Sequence, residues 1–202
     1  MTSYPAVFCA LVFAYLLGSV PFAVLSARLF GLADPRTYGS GNPGATNVLR
    51  AGSKKAAFLT LVGDAGKGAA AVYLARAAGL SVEVQALVAL SAFLGHLYSL
   101  FLRFRGGKGV ATAAGVLLAL SPVAGGLTLL TWVLTAWVSR YSSLAAVLAA
   151  FSAPFWFLLT EEDGTFWAVT GIAVLVLMRH LGNLSRLLAG REGKIGEEKN
   201  KR

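Results

Sequence analysis

Seven strongly apolar runs leave this chain few possible folds: about Pro5 to Phe30, Ala56 to Ala78, Val84 to Leu102, Val110 to Leu120, Val123 to Val138, Leu144 to Leu159 and Thr165 to Met178. Only short polar connections separate them. With 56% of its residues hydrophobic and 13% charged, the chain has too little polar side chain to cover a water-soluble globule, so it reads as a membrane protein. The expected fold class is all-α, a polytopic integral membrane protein with about seven transmembrane helices. Residues 1–202 form one domain, with a basic tail from about residue 190.

The fourth and fifth runs are short against the roughly 20 residues that a spanning helix needs. Ser121-Pro122 between them reads either as a tight turn or as a kink in one long element, giving seven or six crossings. Charge placement favours seven. Arg36, Arg50, Lys54 and Lys55 follow run one; Arg103, Arg105 and Lys108 follow run three; Arg140 follows run five; Arg186, Arg191, Lys194, Lys199, Lys201 and Arg202 follow run seven. The other side receives Arg76 with Glu83, the uncharged Ser121-Pro122 turn and Glu161-Glu162-Asp163. Seven crossings put every cation-rich segment in the cytoplasm, with the N-terminus outside and the C-terminus inside. No cation precedes the first run, which is expected to stay as a span rather than be removed as a signal peptide. The net charge of +9 is thereby explained by membrane topology and anionic ligands, without nucleic acid. Cys9 stands alone, so no internal disulfide is possible.

Between the first two runs lies Tyr38-Gly39-Ser40-Gly41-Asn42-Pro43-Gly44-Ala45-Thr46-Asn47-Val48-Leu49-Arg50. Gly39, Gly41 and Gly44 permit tight turns that bring backbone N–H groups close to an anion. Ser40, Asn42, Thr46 and Asn47 add short polar side chains, and Arg50 adds a guanidinium suited to phosphate. The formal dinucleotide pattern across Gly39 to Gly44 fails on context, because no strand precedes it and Asp64 lies in another apolar run. Gly66-Lys67 and Gly107-Lys108 likewise lack the remaining residues of a nucleotide-binding P-loop.

Arg103-Phe104-Arg105-Gly106-Gly107-Lys108-Gly109 forms a second basic glycine loop, expected on the same face, with Gly106 and Gly107 exposing backbone donors beside Lys108. A third group is Arg179-His180-Leu181-Gly182-Asn183 with Arg186, where His180 and Asn183 share a helix face. His96 is read as structural. Asp64 and Lys67, three residues apart within an apolar run, are expected to pair, as scaffold or as site. There is no cytoplasmic carboxylate cluster to hold Mg²⁺, and neither a metal nor a cofactor is expected.

Together these groups make the chain similar to the bacterial acyl-phosphate:glycerol-3-phosphate acyltransferase family. The carriers are Gly39 to Arg50, Asp64 with Lys67-Gly68, Gly95-His96, Gly106 to Thr112, Tyr141-Ser142-Ser143-Leu144, and Arg179-His180 with Asn183, Arg186-Leu187 and Glu192. Tyr98-Ser99 and Leu181-Gly182 depart from the family's pattern. The resemblance implies transfer of a fatty acyl group from acyl phosphate to the C1 hydroxyl of glycerol 3-phosphate, at the cytoplasmic face of the bacterial inner membrane. It further implies that Ser40, Thr46, Gly107, Ser143, His180 and Asn183 hold the acyl-phosphate group, while Arg50 and Lys108 grip phosphate charge. The family's Tyr-x-Ser-Leu spacing selects Ser143 over Ser142. Ser40, Lys108 and His180 are the catalytic candidates, with the proton acceptor either His180 or the substrate's own phosphate. The expected partners are the two substrates and membrane lipid, together with a transient contact to the soluble enzyme that makes acyl phosphate, because that donor hydrolyses readily. A transporter of phosphate esters is the rival class. It is disfavoured because all three groups fall on one face and no broken helix is expected at the midplane.

Overall fold

The computed structural model describes residues 3–160 and 164–196. Among them there are ten α-helices, one short 3-10 turn and no strand: α1 (Tyr4–Ser19), α2 (Phe22–Leu29), α3 (Ala45–Leu49), α4 (Lys54–Ala77), α5 (Val82–Leu97), α6 (Val110–Leu120), α7 (Pro122–Ser139), α8 (Ser142–Thr160), α9 (Phe166–Arg179) and α10 (Leu181–Leu188). The expected acidic turn Glu161-Glu162-Asp163 and the end of the basic tail, with Lys199, Lys201 and Arg202, lie outside the described residues.

Four segments are long and apolar enough to cross a membrane: Tyr4–Leu29, Val82–Leu102, Pro122–Ser139 and Ser142–Thr160. The α9–α10 pair, bent by 53°, adds a fifth. Two of the expected seven therefore fall short on length or composition. The 11 residues of α6 reach only roughly 16 Å, and α4 carries Asp64 and Lys67 inside its length. Large apolar side chains such as Phe8, Phe58, Trp137, Val138, Phe151 and Leu158 point outward, as helices facing lipid tails require.

Small residues dominate the interior. Ala71, Ala89, Ala92, Ala113, Ala119 and Ala124 are all buried in the principal core, so the helices approach closely. The α4–α6 contact shows why. A Cβ on Gly68 would lie 2.7 Å from the Thr112 carbonyl oxygen, and one on Gly115 would collide with the Ala65 carbonyl. At this separation the Thr112 hydroxyl donates to the Asp64 carbonyl at 2.9 Å. Ser121-Pro122 is a turn rather than a kink: Gly125 packs back against Leu117 and Leu118, and the Ser121 hydroxyl caps α7 by accepting from the Ala124 N–H.

The first apolar run differs from the expected unbroken span. It breaks between Val20 and Pro21, where α1 ends and α2 begins. Proline has no N–H to donate and its ring excludes a continuous helical ladder. The carbonyls released there are satisfied by neighbouring elements: Lys67 Nζ donates to the Val20 carbonyl at 2.7 Å, and the Ser99 hydroxyl donates to that of Ser19 at 2.6 Å. Ser99, one of the departures from the family's pattern, thus has a specific structural use.

Lys67 also donates to Asp64 at 2.7 Å, with both side chains almost wholly buried. This geometry is a scaffold joining α4 to the break. Removing one member of such a pair costs about 3–5 kcal/mol, because the other is left charged and unpaired. Asp64→Asn should therefore lower the unfolding midpoint in detergent sharply, and Lys67→Met in the same chain should recover much of the loss. An unchanged midpoint for Asp64→Asn would refute a structural role for the pair.

Candidate active site

The loops that follow α2, α5 and α7, together with α10 and the segment after it, meet at one end of the bundle. In the first loop, Gly39 and Gly41 adopt φ of 58° and 67°, a left-handed conformation that glycine enters without steric cost. Asn47, from α3, ties the loop together. Its Oδ1 accepts from the Ser40 N–H at 3.0 Å, and its Nδ2 donates to the Pro35 carbonyl at 2.6 Å and the Tyr38 carbonyl at 3.2 Å. Asn47 is 1% exposed, so this candidate ligand organises the loop from inside. Its neighbours Ala23, Val48, Ala56 and Ala57 form a small second core that seats the loop on α2 and α4. Ser40 and Arg50 remain exposed, and Asn42, Gly44 and Thr46 are half-buried.

The second loop is pinned to the end of α5. Gly106 N–H donates to the Leu97 carbonyl at 3.1 Å and Gly107 N–H to the His96 carbonyl at 3.2 Å, satisfying carbonyls that a helix end leaves without partners. These glycine amides therefore do not present themselves to a ligand, contrary to the expectation from sequence. Absence of side chains at Gly106 and Gly107 instead allows close packing, which delivers Lys108 to the site.

Lys108 Nζ donates to Asn183 Oδ1. Asn183 Nδ2 in turn donates to Glu192 Oε1 at 2.6 Å, and Arg186 Nε to Glu192 Oε2 at 2.7 Å. Loop two, α10 and the tail thus share one polar network. Burial pushes the Lys108 ammonium below the ordinary lysine range; Glu192 opposes this, while Arg186 and Arg50 add to it. Burial raises the Glu192 carboxyl, but the hydrogen bond from Asn183, the neighbouring Ser143 hydroxyl and the Arg186 guanidinium outweigh it, leaving the group below its usual range. The tail is fastened further by Ile195 N–H, which donates to the Arg140 carbonyl at 2.7 Å.

Glu192 is the participant that reading the candidate groups missed as a site residue. Its signal was available: a single acid set between Arg191 and Lys194 in a basic tail. His180 is buried, and its Nδ1 lies 2.8 Å from the Val176 carbonyl. That nitrogen carries the hydrogen, leaving Nε2 to accept in the neutral ring. The imidazole is close enough to Lys108 and Glu192 to feel both charges. Thr46 Oγ1 lies 3.2 Å from Ser142 Oγ, linking the first loop to α8. Ser143 is buried and directed toward Glu192. Both serines therefore border the site, Ser142 through Thr46 and Ser143 through Glu192. Among the described residues no cluster of His, Cys, Asp and Glu is suited to a metal ion.

Fold and site together define a helical membrane-embedded protein with a cationic, hydroxyl-rich site at one end of its bundle. The chain belongs to the glycerol-3-phosphate acyltransferase family, whose profile matches residues 8–190. The glycerol-3-phosphate acyltransferase of Dechloromonas aromatica is 60% identical over 191 residues, covering 94% of this chain and 96% of that protein. That of Burkholderia ambifaria is 60% identical over 189 residues, covering 92% and 89%. The fold is similar to crystal structures of PlsY, an integral membrane glycerol 3-phosphate acyltransferase. The glycerol 3-phosphate form matches at 38% identity with a TM-score of 0.89, and the lysophosphatidic acid form at 37% with 0.87; each covers 95% of this chain and 96% of that one.

Proposed function

We propose that the chain transfers a fatty acyl group from acyl phosphate to the C1 hydroxyl of glycerol 3-phosphate, releasing 1-acylglycerol 3-phosphate and inorganic phosphate. The observation that carries this reading is the network in which Lys108 meets Asn183 beside Arg186 and Glu192. It gathers a lysine, an amide and a guanidinium about the Glu192 carboxylate, itself an anion, with His180, Ser143 and Thr46 nearby. An acyl phosphate is already activated, so catalysis requires chiefly that two mutually repelling anions be positioned and the leaving phosphate stabilised.

In this scheme Arg50 and Lys108 hold phosphate charge of acceptor and donor. Ser40, Thr46, Ser143, His180 and Asn183 orient the acyl-phosphate group. The hydroxyl oxygen forms a bond to the carbonyl carbon, the carbonyl–phosphate oxygen bond breaks, and the hydroxyl proton leaves with the phosphate. The donor's own phosphate oxygens are the preferred acceptor for that proton, with His180 serving as a ligand. The single domain crosses the bacterial inner membrane seven times, counting α4 and α6, with the site and C-terminus in the cytoplasm. The acyl chain lies against helices and lipid, which predicts tolerance of chain length.

Purified protein in detergent, given palmitoyl phosphate with and without glycerol 3-phosphate and palmitoyl-CoA as rival donor, tests the assignment. Phosphate release that depends on glycerol 3-phosphate is expected. Equal use of the CoA donor, or no release from folded protein, would overturn the choice of donor.

A further inference from the structure

The buried His96 has no role in the chemistry above, yet it stands where the two glycine loops touch. Thr112 gives its hydroxyl hydrogen to the Asp64 carbonyl, so at 3.1 Å from His96 Nδ1 it accepts. Nδ1 therefore bears the hydrogen, and Asp64 Oδ1 lies 3.5 Å from the same nitrogen. The opposite ring nitrogen, Nε2, faces Gly107 so closely that a Cβ on that glycine would collide with it. The same Cβ would lie 3.2 Å from the Pro43 carbonyl oxygen, in the first loop. Behind the ring, Lys67 fixes Asp64 and the Val20 carbonyl. Val20, Pro43, Lys67, His96 and Gly107 are among the residues that line a small, mostly apolar cavity of about 10 Å³.

We propose that His96 is a positioning residue for the acyl transfer: held from behind by Asp64 and Thr112, its ring sets the depth at which Gly107 packs, and so where Lys108 meets phosphate. This rests on the reading of Lys108 as a phosphate ligand. His96 itself touches no substrate. Its imidazole acts as a spacer of fixed tautomer between an anchored carboxylate and Gly107, which has no side chain of its own.

A double-mutant cycle on the full-length protein tests this. His96→Ala, Gly107→Ala and the double variant are compared by formation of 1-acylglycerol 3-phosphate, using whichever acyl donor the parent accepts, and by intrinsic tryptophan fluorescence unfolding. Gly107→Ala should lose about 10-fold or more in kcat/KM, because a misplacement near 1 Å is costly in a positioned site. In the His96→Ala background the same methyl occupies vacated space, and the double variant should exceed the product of the single losses by about fivefold or more. His96→Gln, whose amide reaches toward the Nε2 position, should retain more activity than His96→Asn, which keeps only the Nδ1 side. His96→Ala should lower kcat and raise KM for the acyl donor, as displacement of Lys108 would, with a small shift in unfolding midpoint.

Losses that multiply independently, or an effect confined to the unfolding midpoint, would overturn the proposal. Preference for a different donor in the parent would instead fall on the donor assignment, leaving the cycle readable. If a single variant fails to fold, the Gln and Asn comparison decides alone: equal activity of the two would refute the spacer role.

Discussion

Lys108→Ala is expected to lower kcat/KM by about 10²- to 10³-fold, the effect of removing one preorganised charged donor from a site where charge develops. The chain should stay folded, since Lys108 lies in a loop and its ammonium bonds a side chain, Asn183, rather than the backbone of a neighbouring helix. The loss should appear in kcat as well as KM, because the ammonium is proposed to meet the leaving phosphate as it gains charge. Its pH dependence identifies the group. Burial holds the ammonium below the ordinary lysine range, aided by Arg186 and Arg50 and opposed by Glu192. Charge on Lys108 is present at low pH and disappears as pH rises through this depressed value, so activity should fall on the basic side earlier than for an ordinary lysine. Lys108→Arg, charged at all accessible pH, should move or abolish that basic limb even where its overall rate is lower. Persistence of the limb in Lys108→Arg, or near-parental kcat/KM in Lys108→Ala, would exclude Lys108 from the chemistry.

Gly106→Ala should be almost as damaging, by about 100-fold in kcat/KM, although a single methyl is added away from any ligand. Its Cβ would collide with the His96 carbonyl oxygen and lie 2.8 Å from that of Leu97. Both obstacles are backbone at the end of α5 and cannot turn aside. Moving the loop outward would break the Gly106 N–H bond to Leu97 and carry Lys108 away from Asn183. Gly66→Ala is the matched control: it lies in exposed helix with nothing within 4 Å of an added Cβ, so activity and midpoint should hold. Equal behaviour of the two variants would refute the close-packing account.

Gly106 and Gly107 also show where reading the chain alone runs out. Adjacent glycines beside a lysine correctly mark a place where backbone must come close to something. The sequence pattern suggested a ligand, whereas the close neighbour is the C-terminal end of α5. Asn47 is a parallel case: its residue type suits an anion, but Pro35, Tyr38 and Ser40 occupy its amide. Glu192, a carrier of the resemblance for which no site role was expected from sequence, proves to join Asn183 to Arg186. The first apolar run was read as continuous because hydropathy does not register the single missing N–H of Pro21.

What the sequence by itself determined is what depends on composition and short spacing. The apolar runs dictate helices, Asp64 and Lys67 three residues apart dictate a pair, and the basic glycine groups mark the end that carries the candidate site. The tertiary structure decided which polar groups remain available there. That choice depends on partners distant in sequence, as Lys67 to Val20, Lys108 to Asn183 and Thr46 to Ser142 are. A buried donor bonds whichever acceptor the packing brings within about 3 Å, and that distance is set only when α4, α5, α6 and α10 have closed on one another.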